Sequence, residues 1–416
     1  MAGTGRARIL VVGDDMRIFL AIVRAYGRAG RQVEAFPYGP SIALKSRYVS
    51  RVHEAPGFDT RQAAWKEALK ALLARERFDL VVPCSDPAII FLDSIRGAFP
   101  QQRLAIPPAE AMDVLFDKEQ TKALARKLGI PVAPAADFTA ADTADSLIAG
   151  FGLPLVLKPR RTFFADKEQA REIVEIAETR EELEGLLKTI EDRSRYFAEG
   201  FFVGDGVGVS VLAKDGRILQ AFQHRRLREG KGGASSFRIS EAVDSALRAA
   251  SEKICAETKH TGVCMFEYRH NPQSGQWILI ETNARFWGSM GLPLAIGLDY
   301  PNWLYELMVN GVEHREQSYP VGVRSRNLLL DGLNLVRRLK GMSRSGIAPW
   351  LKDAGDFALQ PVGWLTGRER SDSFVIDDLK PAFWEFTLVF KKLTGRFGVK
   401  PAQATVKNSL KAERNA

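Results

Sequence analysis

The chain opens on a short apolar run, Ile9, Leu10, Val11 and Val12, which Gly13, Asp14 and Asp15 separate from helical periodicity over 16–30. This is the pattern of a strand, a turn and a helix. A second unit follows, with helical periodicity over 61–75, a continuous apolar run over 78–83 and a further helical pattern over 87–98. Strands apolar on both faces that alternate with helices predict a parallel sheet covered on both sides, so residues 1–115 are read as an N-terminal α/β domain. After Pro107 and Pro108 one helix is predicted from Ala109 to Gly129, where the glycine and Pro131 stop it. From Gly152 onward the pattern changes to closely spaced strands at 153–158, 196–202, 208–214, 218–224, 263–269 and 277–283. Several are joined by short turns, which predicts antiparallel sheet.

The sharpest local pattern is the pair of alternating runs at 262–269 and 277–285, joined through the turn-forming stretch 270–276. Alternation places Val263, Met265 and Glu267 on one face, and Leu279, Glu281, Asn283 and Arg285 on one face of the next strand. A hairpin symmetric about Ser274 sets Glu267 directly opposite Glu281, where like charges repel. A divalent cation removes that conflict, because hard Mg²⁺ takes carboxylate and amide oxygens and completes its shell with substrate phosphates. Glu267, Glu281 and Asn283 are therefore the candidate metal ligands. The alternative is a solvated face with both acids in water, but the flanking residues are apolar and buried strands rarely keep unpaired carboxylates.

Composition narrows the class. With 416 residues, 45% hydrophobic and 26% charged, the chain reads as a folded protein of two or three domains. Residues 1–8 lead into a strand and not into a secretory apolar core, and no span approaches the length of a membrane helix, so a cytoplasmic protein is expected. Cys84, Cys255 and Cys264 form no CxxC pair, which argues against a zinc site or a disulfide framework. Gly13 is followed by Asp14, Asp15 and Met16, so the dinucleotide fingerprint is missing and a dehydrogenase is disfavoured. The formal charge is +9, with 59 Lys and Arg against 50 Asp and Glu. No zinc, RNP or helix-turn-helix pattern accompanies it, so no nucleic-acid partner is expected.

Further candidates are weak singly. Lys158 ends an apolar strand, and Lys118 starts a helix; lysine suits phosphate as a mobile point charge, although each taken alone reads as a surface residue. The apolar stretch 196–206 carries Glu199, Phe201 and Phe202 and ends in glycines. It can line an adenine pocket, with an ordinary core strand as the alternative.

With these elements in this order, residues 115–311 resemble the ATP-grasp superfamily of carbamoyl phosphate synthetase, biotin carboxylase and the D-alanine ligases. Glu267 followed by Glu281, Asn283 and Arg285 looks like that family's metal-binding Glu and its ExNxR ending. The resemblance implies an ATP-grasp domain of two subdomains over 116–312, its antiparallel sheets clasping ATP, behind the N-terminal parallel α/β domain. It further implies ATP and Mg²⁺ (or Mn²⁺) as cofactors, Lys118 and Lys158 on the phosphates, and Glu199, Phe201 and Phe202 at adenine. The activity implied is ATP-dependent ligation, in which a small-molecule carboxylate is phosphorylated and then attacked by an amine or similar nucleophile. Arg285 would hold the acyl phosphate or carboxylate, the alternative being a salt bridge to Glu281 or Glu267. The stretch 224–236 resembles the part facing the acceptor, with Arg226, Gly232 and Gly233 as candidates and a solvated basic loop as the alternative. The second function kept open is a non-catalytic, nucleotide-binding regulatory protein of the same fold.

One departure stands out. Many relatives carry a glycine-rich loop after the equivalent of Lys158, whereas residues 159–166 contain no glycine; Arg160, Arg161 and Thr162 are left to cover the phosphates with side chains. Residues 313–416 are read as a partly helical extension with a basic tail, holding eight Lys or Arg and two Glu from Lys380 onward. Its aromatic and lysine mixture between 377 and 397 fits a helix packed on the enzyme with a basic outer face, in preference to one lying on an anionic membrane.

Overall fold

The computed structural model describes residues 6–58, 62–160, 174–190, 192–229, 235–340 and 347–393. It begins with β1 (Arg8–Val12), α1 (Met16–Arg28), β2 (Gln32–Phe36), β3 (Val49–Val52), α2 (Gln62–Arg75), β4 (Leu80–Pro83) and α3 (Asp86–Ile95). The four strands make a parallel sheet in the order β3-β2-β1-β4. Ile9 and Val11 point to one core and Leu10 and Val12 to another, so β1 is apolar throughout because both of its faces are covered. The edge strand β3 is largely exposed and carries Ser50 and Arg51, which is why no apolar run marks it in the sequence.

The single helix predicted over 109–129 is instead two, α4 (Ala109–Leu115) and α5 (Lys118–Lys127). Asp117 breaks it: its backbone is extended and its carboxylate accepts the N–H groups of Glu119 and Gln120, which caps α5. Lys118 thereby becomes the first residue of a helix, with Lys122 one turn further on.

Next come β5 (Ala135–Asp137), α6 (Ala144–Phe151), β6 (Leu155–Pro159), β7 (Glu175–Ala177), α7 (Arg180–Thr189) and β8 (Tyr196–Gly200). The strands form a small antiparallel sheet in the order β5-β8-β6-β7. Leu155, Leu157 and Ala198 sink into a core with Leu147, Leu183 and Leu187 from α6 and α7. Alternation then turns Lys158 and Glu199 to the opposite face of this sheet.

The remaining elements are β9 (Asp205–Lys214), β10 (Arg217–Glu229), β11 (Ser235–Glu241), α8 (Ser245–Glu257), β12 (Gly262–His270), β13 (Trp277–Asn283), α9 (Gly291–Ala295), α10 (Tyr300–Asn310), β14 (Arg324–Arg326), α11 (Leu328–Lys340), α12 (Ile347–Ala358), α13 (Gln360–Leu365), β15 (Glu369–Ser371) and α14 (Leu379–Leu393). Their strands form a seven-stranded sheet, β13-β12-β9-β10-β11-β14-β15, antiparallel except between β14 and β15. One face, with Val207, Val209, Phe266 and Tyr268, is covered by Leu247 and Ile254 of α8. The other meets the N-terminal domain through Leu212, Val263 and Met265, then opens into the candidate site.

The segment after Glu313 adds two strands to this large sheet and returns to α1. Asp378 accepts from Arg24 Nε at 2.8 Å, Ser46 Oγ at 2.7 Å and Arg47 N at 2.9 Å, with Arg24 and Asp378 both buried. Asp377 pairs with Arg28 beside it. This anchor sets the roll of α14, so Pro381 and Ala382 face inward while Phe383, Trp384 and Phe386 are exposed. Lys380 is exposed as expected, but these aromatic residues share the outer face with it instead of packing on the core; residues 394–416 lie outside the described residues. No helix of the described residues is long and apolar enough to cross a membrane. Asp378→Ala strands the buried Arg24 guanidinium and is expected to cost about 3–5 kcal/mol, read as a lower urea midpoint at unchanged m-value.

Candidate functional site

The hairpin of β12 and β13 is built around a bulge. Next to the turn, His270 pairs with Trp277, Arg269 with Ile278 and Tyr268 with Leu279; the register then passes over Ile280, and Glu267 faces Glu281, Phe266 faces Thr282 and Met265 faces Asn283. The expected opposition of the two acids is present, but symmetry about Ser274 holds only on the far side of the bulge. Leu279 is accordingly not on the face of Glu281: the slip turns it beside Tyr268 into the opposite core.

The two carboxylates are kept together by what surrounds them. Asn283 Nδ2 donates to Glu267 at 3.2 Å and to Glu281 at 3.3 Å. Arg226 Nη2 lies 2.5 Å from Glu267, and Lys118 Nζ lies 3.8 Å from Glu281. Burial raises the Glu267 pKa and Glu281 adds to this, against the lowering effect of Arg226. For Glu281 burial also pushes upward, but Lys118 and Lys158 outweigh it and hold the group below its ordinary value.

Arg226 reaches this point because β10 runs on to Glu229; the basic stretch that reads as a loop is itself strand as far as that residue. Space for it comes from glycines on the neighbouring strand. A Cβ on Gly206 would come within 2.8 Å of Arg226 Cδ, and one on Gly208 would overlap the His224 ring. Burial opposes the charge of Arg226, and Glu267 and Glu229 more than offset it, so its pKa is raised.

The small sheet supplies the second half. Lys158 Nζ donates to Glu199 at 2.7 Å, both buried, and Lys122 contacts the other oxygen of the same carboxylate. Burial, with Lys118 beside it, pushes Lys158 down to about 8. Lys122 was not singled out in the sequence, although its spacing of four from Lys118 is the signal that puts both on one side of α5. Phe201 is exposed and Phe202 half-buried, in the connector from β8 to β9 that joins the two sheets.

Arg285 does not pair with either hairpin acid. It grips Asp86, the first residue of α3, with Nε and also with Nη2 at 3.3 Å, so the end of the hairpin is tied to the N-terminal domain. Asp86 carried no signal in the sequence because its role depends on a partner 199 residues away. Arg160 engages Glu119 and Asp137. Gly232, Gly233, Arg161 and Thr162 lie outside the described residues.

The oxygen set fits a hard cation. Two carboxylates and an amide converge on one spot, and a half-turn of the Asn283 amide presents its oxygen in place of the N–H groups that now bridge the acids.

Known proteins share this fold. Residues 218–297 match the family model described as "Carbamoyl-phosphate synthase L chain, ATP binding domain". The structure is similar to an L-amino acid ligase from Bacillus licheniformis, at 19% identity over 74% of this chain and 75% of that one, with a TM-score of 0.56. It is similar to the biotin carboxylase domain of the 2-oxoglutarate carboxylase from Hydrogenobacter thermophilus, in complex with MgADP, ADP and bicarbonate, at 15% identity over 76% and 73% and a TM-score of 0.58. It is also similar to N5-carboxyaminoimidazole synthetase from Staphylococcus aureus complexed with ADP, at 16% identity over 76% and 80% and a TM-score of 0.57. The protein has the ATP-grasp fold, a parallel α/β sheet followed by antiparallel sheets, as its resemblance implied.

The glycine positions give a direct check of this packing. Gly208→Ala forces a methyl group against the buried His224 ring and is expected to destabilise by about 1–3 kcal/mol, measured as a shift of the urea unfolding midpoint.

Proposed function

We propose that the chain is an ATP- and Mg²⁺-dependent ligase that activates a carboxylate as an acyl phosphate for attack by an amine. The observation that carries this reading is the convergence of three oxygen-bearing side chains, Glu267, Glu281 and Asn283, with Lys118 beside them and Lys158 on the facing sheet. The Mg²⁺-nucleotide, when bound, supplies the phosphoryl group that is transferred.

Each residue then has a defined task. Glu267, Glu281 and the Asn283 oxygen hold the metal, and Lys118 and Lys158 neutralise phosphate charge as it shifts toward the leaving ADP. Glu199 orders Lys158 and Lys122, and Phe201 and Phe202 in the connector that follows β8 would line the adenine. Arg226, now paired with Glu267, would be freed toward the acyl phosphate once Glu267 served as a metal ligand. Arg285 takes the substrate carboxylate by exchanging it for Asp86. The nucleophilic amine attacks the acyl carbon, the C–O bond to phosphate breaks, and the amine proton leaves with the departing phosphate or to solvent.

Glu281→Gln removes one ligand charge and is expected to abolish Mg²⁺-dependent release of ADP and phosphate, with melting temperature and circular dichroism unchanged. Wild-type protein that releases neither product across a broad panel of acids and amines would contradict the ligase reading. The low pKa of Lys158 adds a pH signature. Its ammonium is present below about 8 and is lost above it, so nucleotide affinity is expected to fall as pH rises from 8 toward 10, with proton uptake on binding in that window. Lys158→Arg keeps its charge and should flatten the profile in calorimetric titrations with Mg²⁺-ATP.

A further inference from the structure

The large sheet carries buried arginines on both faces, and a second bulge sorts them. Along β10 and β11, Arg226 faces Arg238; the register then passes over Leu227, so that Arg228 faces Phe237. A one-residue slip moves Arg228 to the face opposite Arg226. There Arg228 and Arg326 both lie against the Phe237 ring, and both are saturated. Arg228 donates to Asp331 at 3.0 and 2.9 Å and to the Asp353 carbonyl at 3.0 Å. Arg326 donates to Glu369 at 2.8 Å, Asp331 at 2.9 Å and the Asp356 carbonyl at 3.2 Å. These two arginines hold the fold together.

Arg238, on the site face, differs. It is 0% exposed, and Nη2 donates to Asp372 and, at 3.5 Å, to Ser325 Oγ, yet Nε and Nη1 find no acceptor among the described residues. A guanidinium cannot shed its charge to escape this, so the missing acceptor points to a ligand. His224 on the same face is incomplete in the same way: its Nε2 lies 3.4 Å from Ser289 Oγ, and its Nδ1 finds no partner among the described residues. Both residues are in register with the metal ligands. Glu267 faces Gly208 and Gly208 faces His224, while Arg238 faces the Arg226 that pairs with Glu267.

We propose that Arg238 and His224 form a carboxylate subsite, and that one substrate, acid or acceptor, carries a carboxylate that takes no part in the bond being made and is held there. The proposal rests on the ligase reading for what is done with that substrate, and on the orphaned donors for the subsite itself. Three strand spacings, about 14 Å, separate the backbone of Arg238 from that of Glu267, and Arg238 Nη2 turns the other way, to Ser325 on β14 and Asp372 after β15, so the group on Arg238 is not the one phosphorylated at the metal. Asp372 already takes part of the charge of Arg238, which suits a monoanion better than a phosphate dianion. Burial, then Arg226 and Arg238, keep the His224 pKa well below its ordinary value, so its ring adds a hydrogen bond without a charge.

The test uses the full chain and matched probes: glutarate against pentanoate as acids, and L-alanine against L-alaninamide as acceptors, each with and without Mg²⁺-ATP. The member of one pair with the additional carboxylate is expected to raise the wild-type melting temperature and, where ADP is released, to be preferred about 100-fold in kcat/KM. Arg238→Gln should remove both effects while KM for ATP is unchanged. Arg238→Lys keeps the charge and loses the planar donors; it should retain the wild-type melting temperature and lose about tenfold of the preference, which separates lost recognition from misfolding. A wild type that does not distinguish either pair, or a folded Arg238→Gln or Arg238→Lys that discriminates as well as wild type, overturns the subsite. Stabilisation by glutarate or alanine that is lost in Arg238→Gln, with no ADP released across the broad panel of acids and amines, supports the subsite and removes the ligase reading instead.

Discussion

Two carboxylates placed side by side on adjacent strands, Glu267 and Glu281, set the electrostatic problem around which the rest of the molecule is arranged. Cross-strand neighbours sit about 4.5–5.5 Å apart at Cβ, close enough that like charges destabilise the pair unless something stands between or beside them. Asn283 bridges them, Arg226 comes from β10, and Lys118 comes from α5. The repulsion is thus resolved by groups from three different elements. The same demand for positive charge that fixes those elements around the acids makes the place suited to a divalent cation.

The β-bulges decide what each strand contributes. Ile280 is passed over in β13, and so Leu279 packs in the core while Glu281 and Asn283 reach the site. Leu227 is passed over in β10, and so Arg226 serves the site while Arg228 joins the buried network of Asp331 and Arg326. Without either slip, alternation would send charged side chains to the wrong face. Glycine does the complementary work on β9, where Gly206 and Gly208 leave the room that Arg226 and His224 occupy.

Lysines on the facing side follow a similar economy of placement. Glu199 is shared between Lys158 and Lys122, so one buried carboxylate orients two lysines from different elements. Asp117 contributes indirectly, because by capping α5 it starts a new helix and turns Lys118 toward Glu281. Arg285 reaches across to Asp86 and Arg24 to Asp378, so both the hairpin and the C-terminal segment are joined to the N-terminal domain by ion pairs and not by apolar packing alone.

Much of this was legible in the residue pattern. Periodicity marks β1, β4, β6, β12 and β13, because each carries a run of apolar residues, and the opposition of Glu267 and Glu281 follows from two strands and a turn. The short edge strands, the arginine-bearing end of β10 and strands β14 and β15 carry no such mark, since their side chains are stabilised by partners far along the chain. By itself, the sequence determined the class of fold and the opposed acid pair, both of which depend on local periodicity. Only the tertiary structure decided the bulges, the partners of Arg226, Arg285 and Lys122, and the incomplete coordination of Arg238, because each is set by register and by contacts between residues that the chain keeps far apart.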